Sequence, residues 1–246
     1  MWEYHIPKRR IGTLAPLSAI ENEAYQFYRI APEGVMCIYL PVGLKKFSAE
    51  DVERVFEPID ELIENLLDRD VDIIVQSGVP LPILIGVKAH DRLMEHIAKK
   101  SGLPVSSSVT AVVDAAKHLG IKNIALADKW SDQMNSVLGE FFGRRGIKVA
   151  GVCSDSMTPD KFLKMNTKNG MDLAYELGSR AIKENTGCDG LYVGGGAWLA
   201  LPVVEHLEKE FGIPCVSNQD AVLWDCLHKI DYWRPTDIST RLLAGD

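Results

Sequence analysis

The sequence has no long hydrophobic run, few cysteines and no excess of positive charge, and each shortage removes a class of protein. The run Val79 to Val87 carries prolines at 80 and 82 and stops far short of the roughly 20 apolar residues that a membrane span needs. The chain therefore reads as soluble. Met1 to Ile11 puts Lys8, Arg9 and Arg10 after a short mixed segment with no apolar stretch behind them, which is not the layout of a secretory signal. The five cysteines, at 37, 153, 188, 215 and 226, are odd in number and include no CxxC pair. That pattern supports neither a disulfide framework nor a zinc ribbon, and a reducing cytoplasm is expected. Buried structural thiols are expected at Cys188 and Cys215. No histidine pair has a metal-ligand spacing such as HExxH, so no metal is assigned, and His90 and His96 are expected on the surface. Lys plus Arg number 27 against 34 Asp plus Glu, a formal charge of -7, and no basic block is available to neutralise nucleic acid. GxGxxG and Gly-Lys-Ser/Thr are missing too, which removes the dinucleotide fingerprint and the phosphate loop.

What is present is an ordinary globular composition, with 46% apolar and 25% charged residues over 246 positions, enough for one large domain or two small ones. Short β-branched runs alternate with helical patterns throughout, the signature of an α/β protein with parallel strands. The sequence also repeats. Ile11–Ala15, followed by a helix with Asn22 and Phe27, resembles Ile124–Asp128 followed by a helix with Asn135 and Phe141, at an offset of about 113. Val71–Gly78 resembles Cys188–Gly196, and Gly102-Leu103-Pro104 answers Gly212-Ile213-Pro214. The expectation is two similar open parallel-sheet halves related by a pseudo-twofold axis, residues 1–110 plus 221–246 forming one and 111–220 the other. In open parallel sheets ligands bind beyond the carboxyl ends of strands, so one shared cleft is expected between the halves.

The turns at those ends supply the candidates. Ser77, Gly78 and Val79 follow one strand, and Gly194, Gly195, Gly196 and Trp198 follow its counterpart. Glycines there are expected to form a main-chain amide cradle for a carboxylate or phosphate. Pro16 and Ser18 end the first strand of the first half, and Asp128, Lys129 and Trp130 end that of the second. Ser18 and Ser131 also read as helix caps. A lysine in a partly dry cleft can balance a carboxylate or move a proton, although Lys129 beside Asp128 also reads as a solvated ion pair. Trp130 and Trp198 read as apolar walls, or equally as core.

Taken together and in order, these residues resemble the aspartate/glutamate racemase superfamily, in its branch containing maleate cis-trans isomerase and arylmalonate decarboxylase. The resemblance runs through Ile11-Gly12 to Pro16 and Ser18, Phe27-Tyr28-Arg29, Ala31–Val35, Thr110-Ala111-Val112, Ala125–Ala127 with Asn135, Cys188-Asp189-Gly190 and Val216-Ser217. It implies paired α/β halves holding a small carboxylate, with no metal or organic cofactor. It also implies catalytic cysteines at the two strand-end turns, where this chain has Gly78 and Gly195, or Gly196 if the turn slips by one. Glycine cannot abstract a proton or add to a double bond. Trp130 stands for the family's substrate-binding tyrosine, Ala19 for an isomerase asparagine, and Asn166 or Asn169 falls where another substrate-binding asparagine lies. The leading expectation is an enzyme for a small organic acid or its cyclic derivative, with isomerase, lyase or hydrolase chemistry. Ser77, Asp128 and Lys129 are its catalytic candidates, and Pro16, Ser18, Gly78, Val79, Trp130, Asn166, Gly194, Gly195, Gly196 and Trp198 its substrate-binding ones. The alternatives are a noncatalytic carboxylate binder on the same scaffold, or use of another thiol such as Cys37 or Cys153. Tyr232–Pro235 is a candidate cover for the other half or for a neighbouring copy in a homo-oligomer.

Overall fold

The computed structural model describes residues 5–19, 22–45, 47–195, 198–236 and 240–245. The first half runs β1 (Arg9–Leu17), α1 (Asn22–Ile30), β2 (Val35–Leu44), α2 (Ala49–Phe56), α3 (Ile59–Leu67), β3 (Ile73–Gln76), α4 (Pro80–Ile85), α5 (Val87–Ser101) and β4 (Val105–Ser107). After α6 (Ser108–His118) the second half repeats the plan with β5 (Asn123–Asp128), α7 (Asp132–Gly143), β6 (Lys148–Ser154), α8 (Pro159–Leu163) and α9 (Thr167–Glu184). It continues through β7 (Gly190–Val193), α10 (Ala200–Phe211) and β8 (Cys215–Ser217), and α11 (Asn218–Lys229) and α12 (Arg241–Ala244) follow. Among the described residues no helix is long and apolar enough to cross a membrane.

The strands form two parallel sheets of the same order, β2-β1-β3-β4 and β6-β5-β7-β8. The repeat seen in the sequence is thus a repeat of topology. β3 and β7 are buried along their whole length and, apart from Gln76 at the end of β3, apolar, as strands covered by helices on each side must be. The repeated Gly-x-Pro blocks are helix stops: α5 and α10 end at Gly102 and Gly212 in the left-handed region, and the proline beyond leads into the next strand. Ser107 and Ser217 then cap the following helices, the latter in a reciprocal box with Asp220.

One apolar core runs through both halves. It includes Ile11, Val75 and Val109 from the first half and Leu126, Phe142 and Val216 from the second, with separate clusters under the outer face of each sheet. α6 and α11 pack on one another at the centre. α11 lies on β3 and β4, where Ser106 donates to Asp225 and Lys229 Nζ reaches Val105 O at 3.0 Å, while α6 packs on β8 and α7. Each helix therefore leaves one sheet and packs on the other. The C-terminal segment folds on its own chain, with Trp233 stacked on His228 and Arg9 over Tyr232.

Three local expectations change. His90 is buried, not exposed, because it shares one face of α5 with Val87, Leu93 and Ile97; its Nε2 lies 2.9 Å from Ser107 Oγ, and burial pulls the imidazole down to about 4. His96, on another face, is exposed. Cys215 is fully buried but Cys188, in the turn before β7, is only half-buried. Lys129 and Asp128 are both buried, and none of the ion pairs among the described residues includes either.

Candidate active site

In each sheet the order of the parallel strands reverses between the two central ones, β1 and β3 or β5 and β7, and residues at the carboxyl ends of all four line one pocket. Loops diverge at such a point and leave a hollow. The hollow is a pocket of about 450 Å³, walled by Pro16, Ser18, Gly78, Val79 and Pro80 from the first half and by Lys129, Trp130 and Gly195 from the second. The two duplicated turns therefore face one cavity. Gly196 lies outside the described residues.

The positions of the missing thiols are filled. Gly78 has φ +77°, and a Cβ there would overlap the Pro16 ring; Gly195 has φ +121°, and a Cβ there would overlap Lys129 Nζ. Side chains are strained at both positions and also blocked. An apolar ring stands where one sulfur is expected and an amine where the other is.

The Lys129 amine sits in an aromatic cage, 4.1 Å from the Trp198 ring centre, 4.8 Å from that of Trp130 and 5.3 Å from that of Phe162. Its hydrogen-bond acceptor is Gly194 O at 3.4 Å. Loss of water drives the ammonium down to about 7, with the negative Asp128 pulling the other way. Asp128 itself is turned away from the wall. Its Oδ1 accepts from Trp130 N at 2.9 Å and from Asn135 Nδ2 at 3.0 Å, which fixes the turn that carries Lys129. Burial raises this carboxyl, and the bonds from Asn135 and Trp130 oppose the rise.

The expected amide cradle is not available at the described glycines. Gly78 N donates to Ser108 Oγ at 2.9 Å, Gly194 N to Ala127 O at 2.8 Å, and Gly195 N to Asn218 Oδ1 at 2.9 Å. Sheet continuation and the first side chains of α6 and α11 take these donors before any ligand can. Trp130 Nε1 is buried and has no acceptor among the described residues.

Ser77 also points away from the cavity, as strand alternation allows, and donates its hydroxyl hydrogen to Glu23 Oε1. Glu23, in the first turn of α1, does line the pocket. Burial raises its carboxyl and the Ser77 bond lowers it again. Sequence reasoning missed this residue because an acidic side chain in a first helical turn is ordinarily a partner of the helix dipole. The signal was its place directly after β1, beside Asn22. A second missed group is the aromatic wall of Phe47 and Phe162, whose rings lie 5.8 Å apart and join the loop after β2 to α8.

The remaining candidates have structural neighbours. Trp198 is buried behind the amine, and its carbonyl accepts from Gln26 Nε2 at 3.0 Å while Gln26 Oε1 accepts from Leu201 N, so α1 clamps the turn after β7. Asn166 is exposed and caps α9 by accepting from Asn169 N at 2.9 Å. Ser131 caps α7, whereas Ser18 stays on the pocket wall. Neither Cys37 nor Cys153 lines this pocket, and burial pushes both thiols up, Cys37 to about 12. Among the described residues no group of three or more His, Cys, Asp or Glu side chains is placed to hold a metal.

Comparison with known proteins follows the same lines. A curated arylmalonate decarboxylase of Bordetella bronchiseptica is 25% identical over 187 residues, 76% of each chain. A liganded double mutant of arylmalonate decarboxylase superposes with a TM-score of 0.86 at 22% identity, over 97% of this chain and 100% of that one. A cysteine-to-serine mutant of the Nocardia farcinica maleate cis-trans isomerase, carrying a covalent succinylcysteine intermediate, gives 0.81 at 20% identity over 97% and 99%. The family model for arylmalonate decarboxylase matches residues 19–243, nearly the whole sequence, and this chain belongs to that family.

Proposed function

We propose that this chain is an enzyme that binds a small organic acid between its two halves and, with no cofactor, performs isomerase or lyase chemistry in which Lys129 takes the place of the family's sulfur. The observation that carries the reading is the position of Nζ, in the volume that a side chain at 195 would occupy, on a buried residue that lines the pocket. An amine held near neutrality exchanges protons in either direction at working pH, which is what proton abstraction or delivery next to a carboxylate requires. Glu23 supplies a second proton-carrying group from the first half.

The other residues have supporting tasks in this reading. Ser77 positions Glu23, and Asp128 positions the turn bearing Lys129. Trp130 closes the pocket wall with its ring beside Lys129. Leu44, Phe47, Val79 and Phe162 enclose an apolar body, so an acid with an aryl or branched substituent suits the cavity better than a plain dicarboxylate. Ser18 and Lys45 stand on the more exposed part of the wall, where the substrate's charge can be met on entry.

The test is a thermal-shift survey of mono- and dicarboxylates, then turnover of each hit in heavy water. A ligand at about 100 times its Kd adds about 3 kcal/mol of stability. Deuterium is expected to enter carbon next to the carboxylate, and Lys129→Met is expected to lower that rate by about 10³-fold. Tight binding without exchange or product would favour the noncatalytic binder, and full activity in Lys129→Met would end the reading.

A further inference from the structure

We propose that Lys129 acts as a covalent catalyst, forming an imine with the ketone carbon of a 3-oxo acid that carries an aryl or branched alkyl body. This rests on the reading of the pocket as an acid site and names the substrate class and the bond formed there.

Any reaction that leaves a carbanion next to a carbonyl needs a group to take the electron pair, and in open α/β sites strand-end amides commonly do so. Here the N–H groups of Gly78, Gly194 and Gly195 are already donated to Ser108, Ala127 and Asn218. The main-chain N–H groups of these three glycines are therefore spent elsewhere. An iminium nitrogen supplies the sink through a covalent bond instead.

The amine is placed for it. Lys129 is among the residues that line the pocket although it is fully buried, and its Nζ is caged by Trp130, Phe162 and Trp198 and meets a carbonyl only at 3.4 Å. None of the ion pairs among the described residues holds it as a salt-bridged ammonium. The burial that draws it down to about 7 leaves a large share as free amine at neutral pH, with a lone pair available for attack. The surrounding rings exclude water, which protects an imine from premature hydrolysis.

The steps balance. The Nζ lone pair attacks the ketone carbon, the C=O π pair moves to oxygen, and the ammonium proton passes to that oxygen to give a carbinolamine. Protonation of the hydroxyl by the Glu23 carboxylic acid releases water and leaves the iminium. The bond to the carboxylate carbon then breaks, carbon dioxide departs, and its electron pair neutralises the iminium as an enamine. The enamine carbon takes up a proton, and a water molecule from solvent hydrolyses the new iminium to the methyl ketone, free Lys129 and a proton, while the water released earlier leaves to solvent. The net change is 3-oxo acid plus one proton to ketone plus carbon dioxide.

The experiment incubates the intact protein with 3-oxo-3-phenylpropanoate, or with 3-phenylpropanoate as a carbonyl-free acid, with and without sodium borohydride. Intact mass and peptide mapping are read alongside thermal shifts with both acids. Borohydride is expected to fix one secondary amine per chain at Lys129, bearing the carbon skeleton of the decarboxylated ketone. Labelling is expected to fall at least about 100-fold in Lys129→Arg, which keeps the charge but cannot form this imine. Product formed in heavy-oxygen water is expected to carry the solvent's oxygen in its ketone, a readout that needs no variant. Thermal shifts with both acids but no adduct, an adduct only on surface lysines, or retention of the substrate's own ketone oxygen overturns the imine while leaving the acid site standing. No shift with any acid, and no adduct, overturns the site as well.

Discussion

A lysine surrounded by ring faces is held by two opposing effects, and Lys129 shows which one prevails. Each ring over the ammonium contributes about 0.5 to 2 kcal/mol, whereas removing that ion from water costs several kcal/mol and, among the described residues, no ion pair includes it. Desolvation wins, and the group is pulled from 10.5 to about 7. The folded state therefore carries a penalty that an apolar side chain would not. Lys129→Met is expected to be more stable than the parent by about 2 kcal/mol in neutral or acidic buffer, while losing activity. The sign follows from proton counting: between about 7 and 10.5 the unfolded chain holds a proton that the folded chain has released, so the parent gains stability as pH rises through that window. The gap between variant and parent should be level below about 7 and narrow steadily above it in urea titrations at fixed pH steps. A gap that widens with pH would show that the amine is held charged in the fold. The same residue marks what a sequence can disclose. The resemblance puts the expected thiols at Gly78 and at Gly195 or Gly196, but that the lysine beside Asp128 reaches the space beside Gly195, and Pro16 the space beside Gly78, depends on turn geometry that no spacing encodes.

At the scale of elements, the junction of α5 and α6 carries a second titration. His90 lies on the inner face of α5, its Nε2 meets Ser107 Oγ, and that oxygen also accepts from Thr110 N to cap α6. The ring is buried and lowered to about 4. Asp91 favours its protonation, and Arg144 opposes it, so burial remains the deciding cause. Here the unfolded chain takes up its proton near 6.5 and the folded chain only near 4, so stability is lost as pH falls through that interval, by about 3 kcal/mol in all. His90→Gln, which keeps a polar end for Ser107, should flatten that part of the acid limb in calorimetric scans between pH 4 and 7; an unchanged slope would assign it to other groups. The six-residue separation of His90 and His96 correctly puts them on different faces, yet which face is buried follows only from phasing with Val87, Leu93 and Ile97. Elsewhere the punctuation was enough. Gly102-Leu103-Pro104 and Gly212-Ile213-Pro214 read as repeats because each is the same helix stop, strand entry and serine cap. The short α8 gave no comparable signal, being five residues long, and its Phe162 becomes part of the site only through contact with Phe47 and Trp130.

For the whole molecule, the question is whether the duplicated halves behave as two units or one. Each half has its own sheet and its own outer core, which by itself would permit separate unfolding. The central core argues otherwise, because it draws on both sheets without interruption and is bordered by α6 and α11, each continuous with one sheet and packed on the other. Opening either half exposes apolar faces of the other, and a buried apolar residue at such a place contributes about 2 to 5 kcal/mol. The pocket has the same dependence: Gln26 on α1 holds Trp198 and Leu201 across the halves, so a locally opened first half would release the cage around Lys129. A single cooperative transition is expected, with calorimetric and van't Hoff enthalpies equal and with tryptophan fluorescence and far-ultraviolet dichroism changing together. Gln26→Ala, which leaves Leu201 N and Trp198 O without partners, should lower stability by about 1 to 3 kcal/mol and keep the transition single. Two resolved steps, with Trp130 and Trp198 fluorescence changing in only one of them, would mean that the halves are joined at the pocket but not through the core.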